Sequence, residues 1–176
     1  IGRTPYMQNL HVETKNDNIN KILNVEVIIH NNVRAFAIAG TIYEDKERVK
    51  SELYFKWGPG IGSAIVNAGI VLSAGDRGVS EIGHYIVNSN GKKCRCGRVG
   101  CLEAEMSFNA NDKENDIYDK IKKAALALMN TATILNADSI VLFGSVFYDK
   151  DFADKFIHEC LDINPHLNND GIRVSN

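Results

Sequence analysis

Across residues 51–57 the side chains alternate, with Leu53, Phe55 and Trp57 on one side and Glu52, Tyr54 and Lys56 on the other. A period of two marks a strand with one buried face, so a half-buried strand is expected there. Upstream, residues 25–29 form a β-branched run of strand length. From 32 to 47 the spacing turns helical, with Val33, Phe36, Ala37 and Ile42 as expected buried positions. Gly58-Pro59-Gly60-Ile61-Gly62 reads as a turn, followed by a hairpin of 64–66 and 70–72 around Asn67-Ala68-Gly69. A short strand is expected at 84–87, a tight loop at 94–101 and an exposed polar connection at 109–115. The clearest helix spans 117–136, with Ile117, Ile121, Ala124, Leu128 and Leu135 on one face. An apolar strand at 139–143, a helix at 149–160 and a strand beginning at 171–174 complete an alternation of strands and helices that points to an α/β domain.

Composition narrows the classes without naming a function. With 176 residues, 44% of them hydrophobic, the chain is long enough for one core. A formal net charge of -2 argues against a nucleic-acid surface spread over it. No run of about 18 apolar residues is present, so no membrane span is expected. The opening Ile1-Gly2-Arg3-Thr4-Pro5 lacks an initiator Met, a basic region and an apolar core, so it does not read as a signal peptide. It reads as the start of a fragment of a longer, cytoplasmic protein.

The chemistry concentrates in one stretch. Cys94, Cys96 and Cys101 lie within eight residues, and His84 stands ten residues before the first. Gly97 and Gly100 permit a tight backbone path. Three sulfurs and an imidazole nitrogen make a closed tetrahedral shell, the set that structural zinc takes. A disulfide or reduced buried cysteines are the alternatives. A Cys94–Cys96 bridge would be strained, and the absence of a secretory signal favours a reducing compartment. Cys160, alone in a helical pattern, reads as a small buried residue. If one ring nitrogen of His84 binds metal, the other is a donor of fixed direction, available to a ligand hydroxyl.

Glu81-Ile82-Gly83-His84 followed by Cys94-Arg95-Cys96-Gly97-Arg98-Val99-Gly100-Cys101-Leu102-Glu103 resembles the signature of the ROK family (repressors, open reading frames and sugar kinases). The glycine turn with Gly58, Gly60 and Gly62 matches that family's glycine-rich turn, and His30-Asn31-Asn32-Val33-Arg34-Ala35 resembles its Glu-Asn-Asp-x-x-Ala segment. The resemblance implies an actin-like ATPase, ribonuclease-H-like α/β fold, here as a partial chain. It implies structural zinc on His84, Cys94, Cys96 and Cys101, and sugar contacts from Asn31, Asn32, Glu81, His84 and Glu103. Carboxylates accept from sugar hydroxyls while an amide both donates and accepts.

The departures from the family bear on activity. Asn32 stands where the kinases have the Asp that takes the proton from the sugar hydroxyl, and an amide has no useful basicity. The N-terminal Asp-x-Gly-x-Thr phosphate element is missing from these residues. Phe143 and Ser145 stand where the adenosine segment has glycine, and Ser80 replaces a glycine before Glu81. The connection after Glu103 is shorter than in the family. The expected reading is that residues 1–176 form the zinc-stabilised sugar-binding portion of a transcriptional regulator. Its effector would be a sugar or sugar phosphate, its DNA contact would come from a region outside this chain, and its assembly would be a homodimer or higher. The alternatives are a glucokinase-like, ATP-dependent sugar kinase fragment and a structural dimerisation module.

Overall fold

The computed structural model describes residues 21, 22, 24, 31–43, 51–72, 80–108, 112–167 and 169–175. The strand expected at 25–29 lies outside them, as does the far end of the helix expected to reach residue 47. Helix α1 spans Asn32–Tyr43. Strands β1 (Ser51–Trp57), β2 (Ile61–Asn67) and β3 (Ile70–Val71) follow. After the metal loop come the one-turn helix α2 (Leu102–Glu105), the long helix α3 (Glu114–Leu135), β4 (Ser139–Phe143), α4 (Lys150–Ile163) and β5 (Ile172–Val174).

The five strands form one sheet in the order β3-β2-β1-β4-β5. The β1–β2 and β2–β3 pairs are antiparallel, whereas β1–β4 and β4–β5 are parallel. An antiparallel meander that continues into parallel strands through helical crossovers is the ribonuclease-H-like arrangement of the actin-like ATPase fold. The turn between β1 and β2 is shorter than expected, because Ile61 and Gly62 already pair with Trp57 and Lys56.

One sheet face carries Leu53, Phe55, Trp57, Ile65, Ile140 and Leu142, packed under α3 and α4. Phe156 of α4 stacks on Phe55 at 5.9 Å and meets Trp57 edge-on at 5.8 Å. The other face carries Tyr54, Ala64, Val66, Val141 and Phe143 under Val33 and Ala37 of α1. β1 is therefore buried on both faces rather than half-buried, because α1 covers the side that alternation assigned to solvent. Even Glu52 is buried. It accepts from the Ser139 hydroxyl at 2.9 Å and pairs with Arg173 at 2.8 Å, which ties β1, β4 and β5 together and satisfies the buried charge.

Several local expectations change. Ile42 is exposed. The segment expected as a strand at 84–87 is a 3-10 turn at Ile82–His84 followed by a single bridge between Ile86 and Cys101. Tyr85 and Ile86, apolar enough to suggest a strand, face outward. Of the connection expected to be exposed at 109–115, residues 109–111 lie outside the described residues, 113–115 are exposed, and Asp112 is held against α3. Lys120, buried in α3, bonds Asp112 and the Ser107 carbonyl and lies over the Phe108 ring. Phe108 in turn stacks on Trp57 at 5.6 Å. Asn115 lies inside α3, which ends at Asn136 in the left-handed region with φ 48°.

Candidate metal centre

The loop that holds the cysteines is built by a few backbone bonds. Cys94 N–H donates to the Arg98 carbonyl at 2.8 Å, Gly100 N–H to the Lys92 carbonyl at 2.8 Å, and Val87 N–H to the Gly100 carbonyl at 2.9 Å. These bonds fold residues 88–101 back on themselves and bring both ends of the loop beside His84. Cys101 then serves as the N-cap of α2, its carbonyl accepting from Ala104 and Glu105.

The ligand atoms of His84, Cys94, Cys96 and Cys101 all lie within 4.8 Å of one another. Cys94 Sγ is 3.7 Å from His84 Nδ1, and Cys96 Sγ is 3.5 Å from Cys101 Sγ. A tetrahedral ion with bonds of about 2.3 Å to sulfur and about 2.0 Å to nitrogen has ligand–ligand edges of roughly 3.5–3.8 Å. The donor set and the spacing both fit one metal ion, and all four cysteines of the chain are free thiols. Nδ1 of His84 faces the sulfurs, which leaves Nε2 as the second nitrogen.

The thiols differ. Burial, reinforced by the neighbouring sulfurs, pushes Cys101 up to about 12 in the absence of a cation. A hydrogen bond from the Arg98 backbone holds exposed Cys96 below the usual thiol value. Cys160 is wholly buried in the core on α4, and desolvation raises it strongly. Reactivity follows the thiolate and its exposure. In metal-free protein, iodoacetamide is expected to modify Cys96 first and Cys160 only on unfolding, as read by peptide mass spectrometry. Early labelling of Cys160 would contradict its place in the core.

The other sequence-predicted residues lie on separate elements, and only Glu103 has a described side-chain contact to the cysteine loop. Glu103 is close to it, two residues after Cys101. Its Oε2 accepts from Ile61 N–H at 3.2 Å and its Oε1 pairs with Arg95 at 2.5 Å. The acid therefore bridges the glycine turn and the metal loop. Asn31 and Asn32 are exposed at the start of α1. Asn31 Oδ1 caps that helix, accepting from Val33 N–H at 2.8 Å. Val33 packs against Gly62, where a β-carbon would come within 2.9 Å of its Cγ2. That contact packs the first turn of α1 against β2. Glu81 is exposed and lines a largely apolar cavity of about 270 Å³ with Ile65, Ile82, Tyr85 and Ile134. No described contact joins it to Glu103.

Composition of the loop did not single out Arg95 and Arg98, yet both reach back to site residues. Arg95 pairs with Glu103, and Arg98 donates to the His84 carbonyl at 3.3 Å. Ser80 keeps a left-handed φ of 65°, the backbone state a glycine would take there. Its hydroxyl lies 2.6 Å from that of Ser63, and its carbonyl accepts from the same serine at 2.5 Å. The Phe143 ring stacks on Phe36 at 4.1 Å in the second core. Gly144, next to it, passes over the Trp57 carbonyl with φ 111°.

No helix among the described residues is long and apolar enough to cross a membrane. A family model described as the ROK family matches residues 3–115. The chain is 30% identical over 107 residues to a glucokinase of Thermotoga maritima, a match covering 61% of this chain and 34% of that one. It is 24% identical over 110 residues to the DNA-binding transcriptional repressor Mlc of Escherichia coli, covering 62% of this chain and 27% of the repressor. Among solved structures, the ROK hexokinase from Thermus thermophilus superposes with a TM-score of 0.75 at 21% identity, covering 92% of this chain and 63% of that one. The chain thus spans about a third of the length of the curated relatives it matches.

Proposed function

The chain belongs to the ROK family, and on that premise we propose that residues 1–176 are the sugar-binding portion of a sugar-responsive transcriptional regulator, held together by structural zinc. The observation that carries this reading is Asn32. It is exposed in the first turn of α1, beside the capping Asn31 and one residue before Val33, which packs against Gly62. An amide there can hold a sugar hydroxyl but cannot remove its proton, so recognition survives while phosphoryl transfer is lost.

Each group has a distinct task in this reading. His84, Cys94, Cys96 and Cys101 would hold a zinc ion, which would supply a structural cross-link to the loop. His84 Nε2, on the far side of the ring from the sulfurs, offers a donor to the sugar. Glu103 is oriented by Ile61 N–H and Arg95 and retains lone pairs for hydroxyl donors. Asn31 would contribute its amide N–H and Asn32 a donor and an acceptor, while Glu81, exposed on the turn before His84, would be a further acceptor. DNA contact belongs to a region outside these residues, and sugar works by binding one regulatory state more tightly than the other. The protein is read as a cytoplasmic homodimer or higher assembly with its cysteines reduced.

Calorimetry of the protein against a panel of hexoses, amino sugars and their phosphates tests this. One member is expected to bind, and Glu103→Ala is expected to weaken it by roughly 10–100-fold, the worth of a charge-assisted hydrogen bond. Binding of none of them would end the sugar-sensing reading. The glucokinase relative favours a second reading, a sugar kinase fragment. ATP-dependent phosphorylation of the bound sugar by the same protein would decide for it.

A further inference from the structure

Glu105 is a carboxylate with no task in the reading above, yet it is only 9% exposed. Burying an ionised acid is costly unless donors meet it, and here they do. Its Oε1 accepts from Lys92 N–H at 2.6 Å, and Asn88 Nδ2 donates to its Oε2 at 3.4 Å. The loop passes so close that a β-carbon on Gly91 would lie 2.2 Å from Oε1. A side chain at Gly91 would push the carboxylate out of this position.

Its partners place the acid at a junction. Lys92 is two residues before the ligand Cys94, and Glu105 is four residues after the ligand Cys101. The Lys92 peptide is held on both sides, its N–H by Glu105 and its carbonyl by Gly100 N–H at 2.8 Å. Glu105 in turn is fixed by α2, its own N–H donating to the Cys101 carbonyl at 3.0 Å. A closed path therefore runs from Cys101 through Glu105 to Lys92 and on to Cys94. None of its members needs the metal to form.

We propose that Glu105 is a positioning residue for the metal centre, a clamp that sets the Cys94 arm of the loop against the Cys101 arm before the ion binds. This rests on the metal reading of His84, Cys94, Cys96 and Cys101. Without the clamp, the Lys92 amide loses its acceptor and the Cys94 arm must be ordered at the expense of metal binding. The acceptor atom is what matters, not the charge. Glutamine keeps a carbonyl oxygen for Lys92 N–H, whereas alanine removes it.

The test measures zinc affinity by competition with a chromophoric chelator, together with the cobalt(II) absorption spectrum of each protein. Glu105→Ala is expected to bind zinc about 10–100-fold more weakly, the usual effect of losing a group that orients a metal ligand. Its cobalt spectrum should shift, and Glu105→Gln should restore both readouts close to wild type. Equal affinity and an unchanged spectrum in Glu105→Ala would overturn the proposal, as would Glu105→Gln behaving like alanine. Should the alanine variant not fold, hydrogen exchange decides. The Lys92 amide of metal-free wild-type protein is expected to be protected and to lose that protection in Glu105→Gln no more than its neighbours do; an unprotected amide in wild type overturns the clamp. Wild-type protein that takes up neither metal would overturn the metal reading itself, a result distinct from any difference among variants.

Discussion

Cys101→Ser is expected to abolish metal retention and to lower the melting temperature by about 10 °C. A hydroxyl is a poor replacement for a thiolate in a site with three sulfur donors. Cys101 is wholly buried, so no solvent ligand has easy access to the gap. Its thiol, pushed up to about 12 by burial, stays neutral in the empty site, and a thiolate is supported there only by a cation. The size of the effect follows from what the ion closes. Zinc-finger peptides depend on the metal for about 10–16 kcal/mol, because they have little else. Here two packed sheet faces remain when the ion leaves. The loss is closer to that of a structural cross-link, about 2–5 kcal/mol, and for a chain of this size each kcal/mol moves the midpoint by roughly 2–4 °C. Elemental analysis of dialysed protein and a circular dichroism melt read both effects. Wild-type protein stripped with a chelator should melt with the variant. A variant that keeps its metal and its melting temperature would refute the ligand set.

The core elements were legible because their cause is local. The alternation of Leu53, Phe55 and Trp57 and the helical spacing of Ile121, Ala124 and Leu128 are properties of adjacent residues, and the structure places all six in one core. The fate of Tyr54 and Glu52 was not local. It depends on α1 lying over the second face and on Arg173, more than a hundred residues away, reaching Glu52. Residues 84–87 misled for a related reason. His-Tyr-Ile-Val has strand-forming side chains, but Gly83 is pressed against the Ile61 carbonyl and the following residues meet the loop at a single bridge. The cluster of His84, Cys94, Cys96 and Cys101 was legible as a candidate metal centre because those residue types in that spacing admit few other readings, and the structure brings their donor atoms within 4.8 Å of one another. Glu105 was not, since an acid on a short helix looks like any exposed acid until Gly91 and Lys92 are folded against it.

Gly100→Ala is expected to destabilise the protein by about 3–5 kcal/mol, and the reason is position rather than flexibility. Gly100 adopts φ 72°, where an L side chain costs about 1–2 kcal/mol. The larger part is steric: a β-carbon would lie 1.5 Å from the Asn88 carbonyl oxygen and 2.5 Å from its carbon. That neighbour is backbone and cannot rotate away. Moving it disturbs the bonds that Val87 N–H and Asn88 N–H make to the Gly100 carbonyl, at 2.9 and 3.3 Å, and the one from Gly100 N–H to Lys92. Each is worth about 1 kcal/mol when lost. These bonds hold the arms of the metal loop together, so zinc affinity is expected to fall in the same variant. Gly97 supplies the control, because it has φ 92° and nothing within 4 Å of its would-be β-carbon. Gly97→Ala then carries only the backbone strain, about 1–2 kcal/mol, and keeps its metal. Urea melts of the two variants separate strain from collision. Equal and small losses would show that the Asn88 carbonyl yields more readily than its hydrogen bonds imply, and that the loop is held by its metal rather than by its backbone.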